Sequence, residues 1–116
     1  SSDLERLYSL WFSYPNVSQI IYWNLVDGYA AFTTPGDMQG GENYYRGGLL
    51  RFDMSEKPAY KRLRHLIKEV WTTDEELTAD ENGEVKFRGF YGEYEVTADG
   101  KTYKVNFDTD GKEVIL

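Results

Sequence analysis

Apolar residues in the first part of the chain fall at helical spacing. Leu4, Leu7, Tyr8, Trp11 and Phe12 recur every three or four positions, which predicts an amphipathic helix. Ser2 and Glu5 fit a capping box at its start, and Pro15 stops it near Ser13. From Val17 to Trp23 the pattern changes to a β-branched run that is apolar on both faces from Ile20 onward, as a buried parallel strand would be. The run ends in Asn24-Leu25-Val26-Asp27-Gly28, the way a strand delivers polar groups to the functional edge of an α/β sheet. Residues 28 to 54 are rich in glycine and read mostly as loop, with a short extended segment at Leu49–Phe52. Ser55 is placed to cap a second helix with Pro58 in its first turn. Ala59, Leu63, Leu66, Ile67 and Val70 form its stripe, and it ends near Trp71–Thr73.

A period of two takes over from Glu75. Val85, Phe87, Tyr94, Val96, Tyr103, Val105 and Phe107 sit at alternate positions, so one face is apolar and the other polar. Asn82-Gly83, Asp99-Gly100 and Asp110-Gly111 punctuate the run, and such pairs accept the positive φ angles of tight hairpin turns. Strands are predicted near 75–80, 84–90, 93–98, 102–108 and 112–116. The change of period places a boundary between Thr72 and Glu75, and hence two domains, 1–73 and 74–116. The fold class expected is α+β: helix, strand, loop and helix, followed by an antiparallel β-module of about five strands folded as a small sandwich.

Composition narrows the function. A chain of 116 residues holds a modest core. Its formal charge of −7 argues against nucleic acid, whose phosphates call for clustered Lys and Arg. No apolar run approaches the roughly 20 residues of a membrane span, and no signal peptide opens the chain. With no cysteine there is neither a disulfide nor a thiolate metal site, and the compartment stays open. His65 is the one histidine and has no thiolate companion, while Asp108-Thr109-Asp110-Gly111 begins like a calcium loop without its twelfth-position glutamate. No metal or cofactor is expected. Ten tyrosines, six phenylalanines and three tryptophans suit the C–H faces of sugar rings, and they suit an ordinary core equally.

Gly47-Gly48-Leu49-Leu50-Arg51-Phe52-Asp53 followed by Lys57-Pro58-Ala59-Tyr60, together with the Trp23-to-Asp27 strand end, resembles the last βα unit of a glycoside hydrolase family 10 (xylanase-type) barrel. The resemblance covers about residues 1 to 72. The stretch from Gly83 through Phe87, Gly89, Gly92, Tyr94 and Val96 is similar to a β-domain appended to bacterial hydrolases. A whole barrel needs about 250 residues, so the resemblance implies the C-terminal piece of a larger, secreted or envelope-associated enzyme. The family's two catalytic glutamates lie on earlier strands, which implies a piece inactive on its own. What it would contribute is a wall of the sugar cleft, with Trp23, Asp27, Tyr29 and Phe32 as substrate contacts for a xylan-like polysaccharide or oligosaccharide.

The same residues have plainer readings. Trp23 serves equally as a core side chain, and Asp27 as a loop-capping carboxylate. Asn24 stands where the family carries glycine, and Ala31 where many members carry a second stacking tryptophan, with Phe32 as an imperfect substitute. Tyr44 and Tyr45 read as loop anchors or as an added aromatic platform. The alternative function is a stand-alone carbohydrate-binding or structural interaction module. An unpaired strand at Val17–Trp23 would in either case invite self-association.

Overall fold

The computed structural model describes residues 2 to 116; the side chain of Ser2, and with it the expected cap, lies outside what it describes. The chain divides into two compact units, Ser1–Val70 and Trp71–Leu116.

In the first unit, α1 spans Ser2–Ser13. Pro15 cannot continue it, and the end closes through bonds from Tyr14 N–H to Trp11 O (3.2 Å) and from Ser13 Oγ to Leu10 O (2.7 Å). Tyr8 is the residue of its apolar stripe that is buried, while Leu7, Leu10, Trp11 and Phe12 stay substantially exposed. α2 spans Pro58–His65 and continues as one wider π-helical turn over Leu66–Val70. Its N-cap is Lys57 rather than Ser55, whose amide and hydroxyl bond to Asp53 Oδ1 instead. α1 packs on α2, and Tyr8, Leu63 and Leu66 form the small apolar core together with Leu49 and Ala30. Full burial of such side chains contributes about 1.5–3 kcal/mol each before the cost of ordering them.

The segment expected to be a buried parallel strand is open. Residues 18 to 24 make no backbone–backbone hydrogen bond among the described residues. Ile20, Tyr22 and Asn24 are half-buried, whereas Ile21, Trp23 and Leu25 face outward. Exposure alternates along it from Ile20 to the left-handed Asn24, with one side toward the core and one in water. Pairing starts only at the end of the segment. Leu49 and Leu50 both donate to Leu25 O (2.8 and 3.0 Å), and Asp27 N–H donates to Leu50 O (3.0 Å). This is a single parallel bridge, Val26 with Leu50, and Leu50 bridges in turn to Glu56.

In the second unit two strands form where five were expected. β1 (Gly92–Ala98) and β2 (Lys101–Phe107) pair antiparallel, from Gly92 opposite Phe107 to Ala98 opposite Lys101. Asp99 (φ 50°) and Gly100 (φ 75°) make the two-residue turn, the pair of positive angles that a hairpin's right-handed twist favours. One face carries Tyr94, Val96, Tyr103, Val105 and Phe107. Phe87 lies against it, with ring centroids 5.7 Å from Tyr94 and 5.6 Å from Phe107. The turn expected at Asn82-Gly83 also closes, with Asp80 N–H to Glu84 O at 2.9 Å and Asp80 Oδ1 accepting the amides of Asn82 and Glu84. No ladder grows from it, because the flanking residues 74–84 are largely acidic and give a second strand almost no apolar face to bury. Residues 112–116 are exposed and unpaired as a strand, since Val114, Ile115 and Leu116 are consecutive rather than alternating.

Two helices and a two-stranded antiparallel sheet make a small α+β chain. They do not make the end of a (β/α)8 barrel followed by a sandwich. The fold expectation built on the glycoside hydrolase resemblance is therefore corrected.

Candidate functional site

A clasp of hydrogen bonds in the first unit shapes the long loop. Asp27 is buried. Its Oδ1 accepts Gly48 N–H (2.9 Å) and Lys57 Nζ (2.8 Å), and its Oδ2 lies 2.7 Å from the same ammonium. Lys57 Nζ also donates to Arg46 O (2.7 Å). Gly48 is required at this point, because a Cβ there would come within 2.6 Å of the Asp27 backbone nitrogen. Tyr22 adds its hydroxyl to Gly47 O at 2.8 Å. Burial first, and then the Asp27 carboxylate, push the Tyr22 phenol above its ordinary pKa; burial and then Tyr22 do the same to Tyr8.

Further along, Asn43 organises the loop from inside. Only 2% of it is exposed. Its Oδ1 accepts Ala30 N–H (2.9 Å), and its Nδ2 donates to Thr33 Oγ1 (2.8 Å) and Asp37 O (3.0 Å). It sits in a short 3₁₀ turn, Gly41–Tyr45, that ends at Arg46 in a left-handed conformation (φ 47°). No periodicity or motif marks Asn43 in the sequence, and its role emerges only once the loop has folded around it.

These two anchors leave an open cleft of about 500 Å³ on the outer side of the loop, lined by Trp23, Ala31, Phe32, Thr33, Thr34, Asp37, Gly40, Gly41 and Glu42. Trp23 is 68% exposed and Phe32 wholly so. Phe32 holds φ at 60°, a left-handed backbone that is strained for a bulky residue at a cost of about 1–3 kcal/mol. Asn24, at the other side of Trp23, is also left-handed (φ 61°). Glu42 joins the two: its Oε2 accepts Trp23 Nε1–H at 2.6 Å and Asn24 Nδ2–H at 2.9 Å. These two donors, Trp23 the stronger, hold the Glu42 carboxyl below its ordinary range.

Of the four residues singled out from sequence, Trp23 and Phe32 both line this cleft. Asp27 lies in the buried clasp, and Tyr29 stacks on Phe52 (centroids 5.2 Å apart, planes at 23°), so neither lines the cleft. Tyr44 and Tyr45 are exposed and pack edge to face on each other, 5.8 Å between centroids. His65 pairs with Glu69 at 2.8 Å on the helix surface. Among the described residues no three His, Cys, Asp or Glu side chains gather as a metal site would need, and no helix is long and apolar enough to cross a membrane.

No known family model matches the chain. Among curated proteins it is similar to the anti-sigma-I factor RsgI6 of Acetivibrio thermocellus, with 29% identity over 100 residues, 84% of this chain and 11% of that protein. The chain thus spans about a tenth of the length of the curated relative it matches. The likeness to an anti-sigma-I factor and the two-helix, two-strand architecture together overturn the assignment to glycoside hydrolase family 10.

Proposed function

We propose that this chain is a binding module and that its cleft takes a sugar ring between Trp23 and Phe32. The observation that carries this reading is the presentation of two large aromatic side chains in water beside one cleft, one of them on a strained backbone. Folding normally hides such surface, and strain of this kind persists where the surroundings impose it. Pyranose rings offer apolar C–H faces to an aromatic plane and hydroxyls at their edges. Around Trp23 and Phe32 the rim is polar, with Thr33, Thr34, Asp37 and Glu42 available to those hydroxyls.

The state of Glu42 does not suit it to the role of a glycosidic general acid. A glycosidic general acid needs a carboxyl whose pKa is raised, and Glu42 is shifted the opposite way. A second reading, docking of a protein partner, is favoured by the likeness to an anti-sigma-I factor. The same exposed aromatics suit a protein hot spot.

Titration with a panel of neutral oligosaccharides, followed by tryptophan fluorescence and by NMR, separates the two. The expected result is saturable binding in the micromolar to millimolar range, lost in Trp23→Ala and weakened in Phe32→Ala. Absence of any response up to millimolar sugar overturns the sugar reading and leaves the protein partner.

A further inference from the structure

The charge lining the cleft is all of one sign. Asp37 and Glu42, both exposed, lie on it, and no Lys, Arg or His does among the described residues. Neither carboxylate belongs to an ion pair among those residues. The Trp23 and Phe32 side chains stand in water beside them. Glu42 Oε2 accepts Trp23 Nε1–H at 2.6 Å, which puts a negative charge at the edge of the indole. Donation to an anion pushes electron density from the N–H into the ring, and the π face becomes more negative. Tryptophan is already the best aromatic partner for a cation, and this polarisation strengthens the attraction. The donors to Glu42, Trp23 first and then Asn24, hold its carboxyl below the ordinary range, so it is charged at neutral pH. A neutral sugar would use the apolar faces of this cleft and leave its charge without a partner.

We propose that the cleft selects a sugar bearing a protonated amine over its neutral and acidic counterparts. The inference rests on the reading that the cleft takes a sugar ring, and adds the charge of that ring's substituent. The C–H face of an amino sugar supplies the apolar contact. Its ammonium supplies the cation for the indole face and for the carboxylates of Glu42 and Asp37. An N-acetyl group removes that cation while keeping the ring, and a uronic acid reverses its sign.

Titration of the full chain with oligomers of glucosamine, of N-acetylglucosamine and of a uronic acid tests it, at about pH 6, where the amine is protonated and the carboxylates are ionised. At low salt the free-amine form is expected to bind about five- to tenfold tighter than the N-acetyl form, with the uronic acid weakest. The preference should shrink as salt is added. It should fall toward unity in Glu42→Gln and in Asp37→Asn, the second of which leaves the hydrogen bond to Trp23 in place. Binding of the free-amine form should be lost in Trp23→Ala. Equal affinity for the amine and N-acetyl forms, a tighter uronic acid, or a preference that both carboxylate variants leave intact overturns this inference and leaves the sugar reading standing. Free-amine binding that survives Trp23→Ala is general attraction to a chain of charge −7, and overturns the inference too. No response to any of the three sugars overturns both readings.

Discussion

Asp27 accepts hydrogen bonds from two separate segments, the Gly47–Gly48 turn and the start of α2, while its own backbone bonds to Leu50. Replacing it by alanine leaves the Lys57 ammonium and the Gly48 amide without their partner in a largely buried place. Removing one member of such a pair costs about 3–5 kcal/mol, less where water reaches the survivor. Asp27→Ala is therefore expected to lower stability by about 3 kcal/mol in urea titration, and Asp27→Asn by less. Glu42 offers a contrasting case, since it is exposed and its carboxylate is stabilised by donors from Trp23 and Asn24. Its folded pKa is depressed, so the contact is complete above the ordinary glutamate range and is lost as pH falls through the lowered value. Trp23 emission should change in that acidic window, and Glu42→Gln should remove the transition. At this scale the sequence singled out Trp23 and Phe32 and was silent about the cleft that both line and about the left-handed backbone at Asn24 and Phe32. It was equally silent about Asn43, because a buried amide that satisfies a loop follows no period.

Among the elements, local rules succeeded where the supporting contacts are local too. α1 ends just before Pro15, and the Asp99-Gly100 turn sets the register of β1 and β2. The polar face of the hairpin pairs Glu95 with Lys104 and Thr97 with Thr102, whose hydroxyl oxygens lie 3.1 Å apart. Turn chemistry alone was insufficient at Asn82-Gly83, where the bend forms and the flanks stay irregular. Reading Val17–Trp23 as buried failed for a different reason. An apolar run specifies a buried strand only when neighbours exist to cover both faces, and here one face remains in water. Two strands with Val105 as the one buried apolar side chain of their unit among the described residues make a sheet of low local stability. Amides of β1 and β2 should accordingly exchange faster than those of α2, whose Leu63 and Leu66 are buried. Slower exchange in the hairpin would show that the second unit is the more stable of the two.

For the whole molecule, the division into Ser1–Val70 and Trp71–Leu116 follows the change of apolar period from helical to alternating. The cleft, the clasp and the open edge all belong to the first unit. The clasp has a consequence for how such a molecule could change. Asp27 and Gly48 join the two ends of the segment between them, so the closure of that loop does not depend on the loop's own interior. Most of the cleft lining, from Ala31 to Glu42, lies within that interior, while Tyr8, Leu49, Leu63 and Leu66 of the core lie outside it and Ala30 lies inside. The arrangement separates a latched frame from the insert it carries. Residues facing the cleft can be rewritten, lengthened or shortened between two latched ends, and the shape of the cleft can change with most of the core left in place.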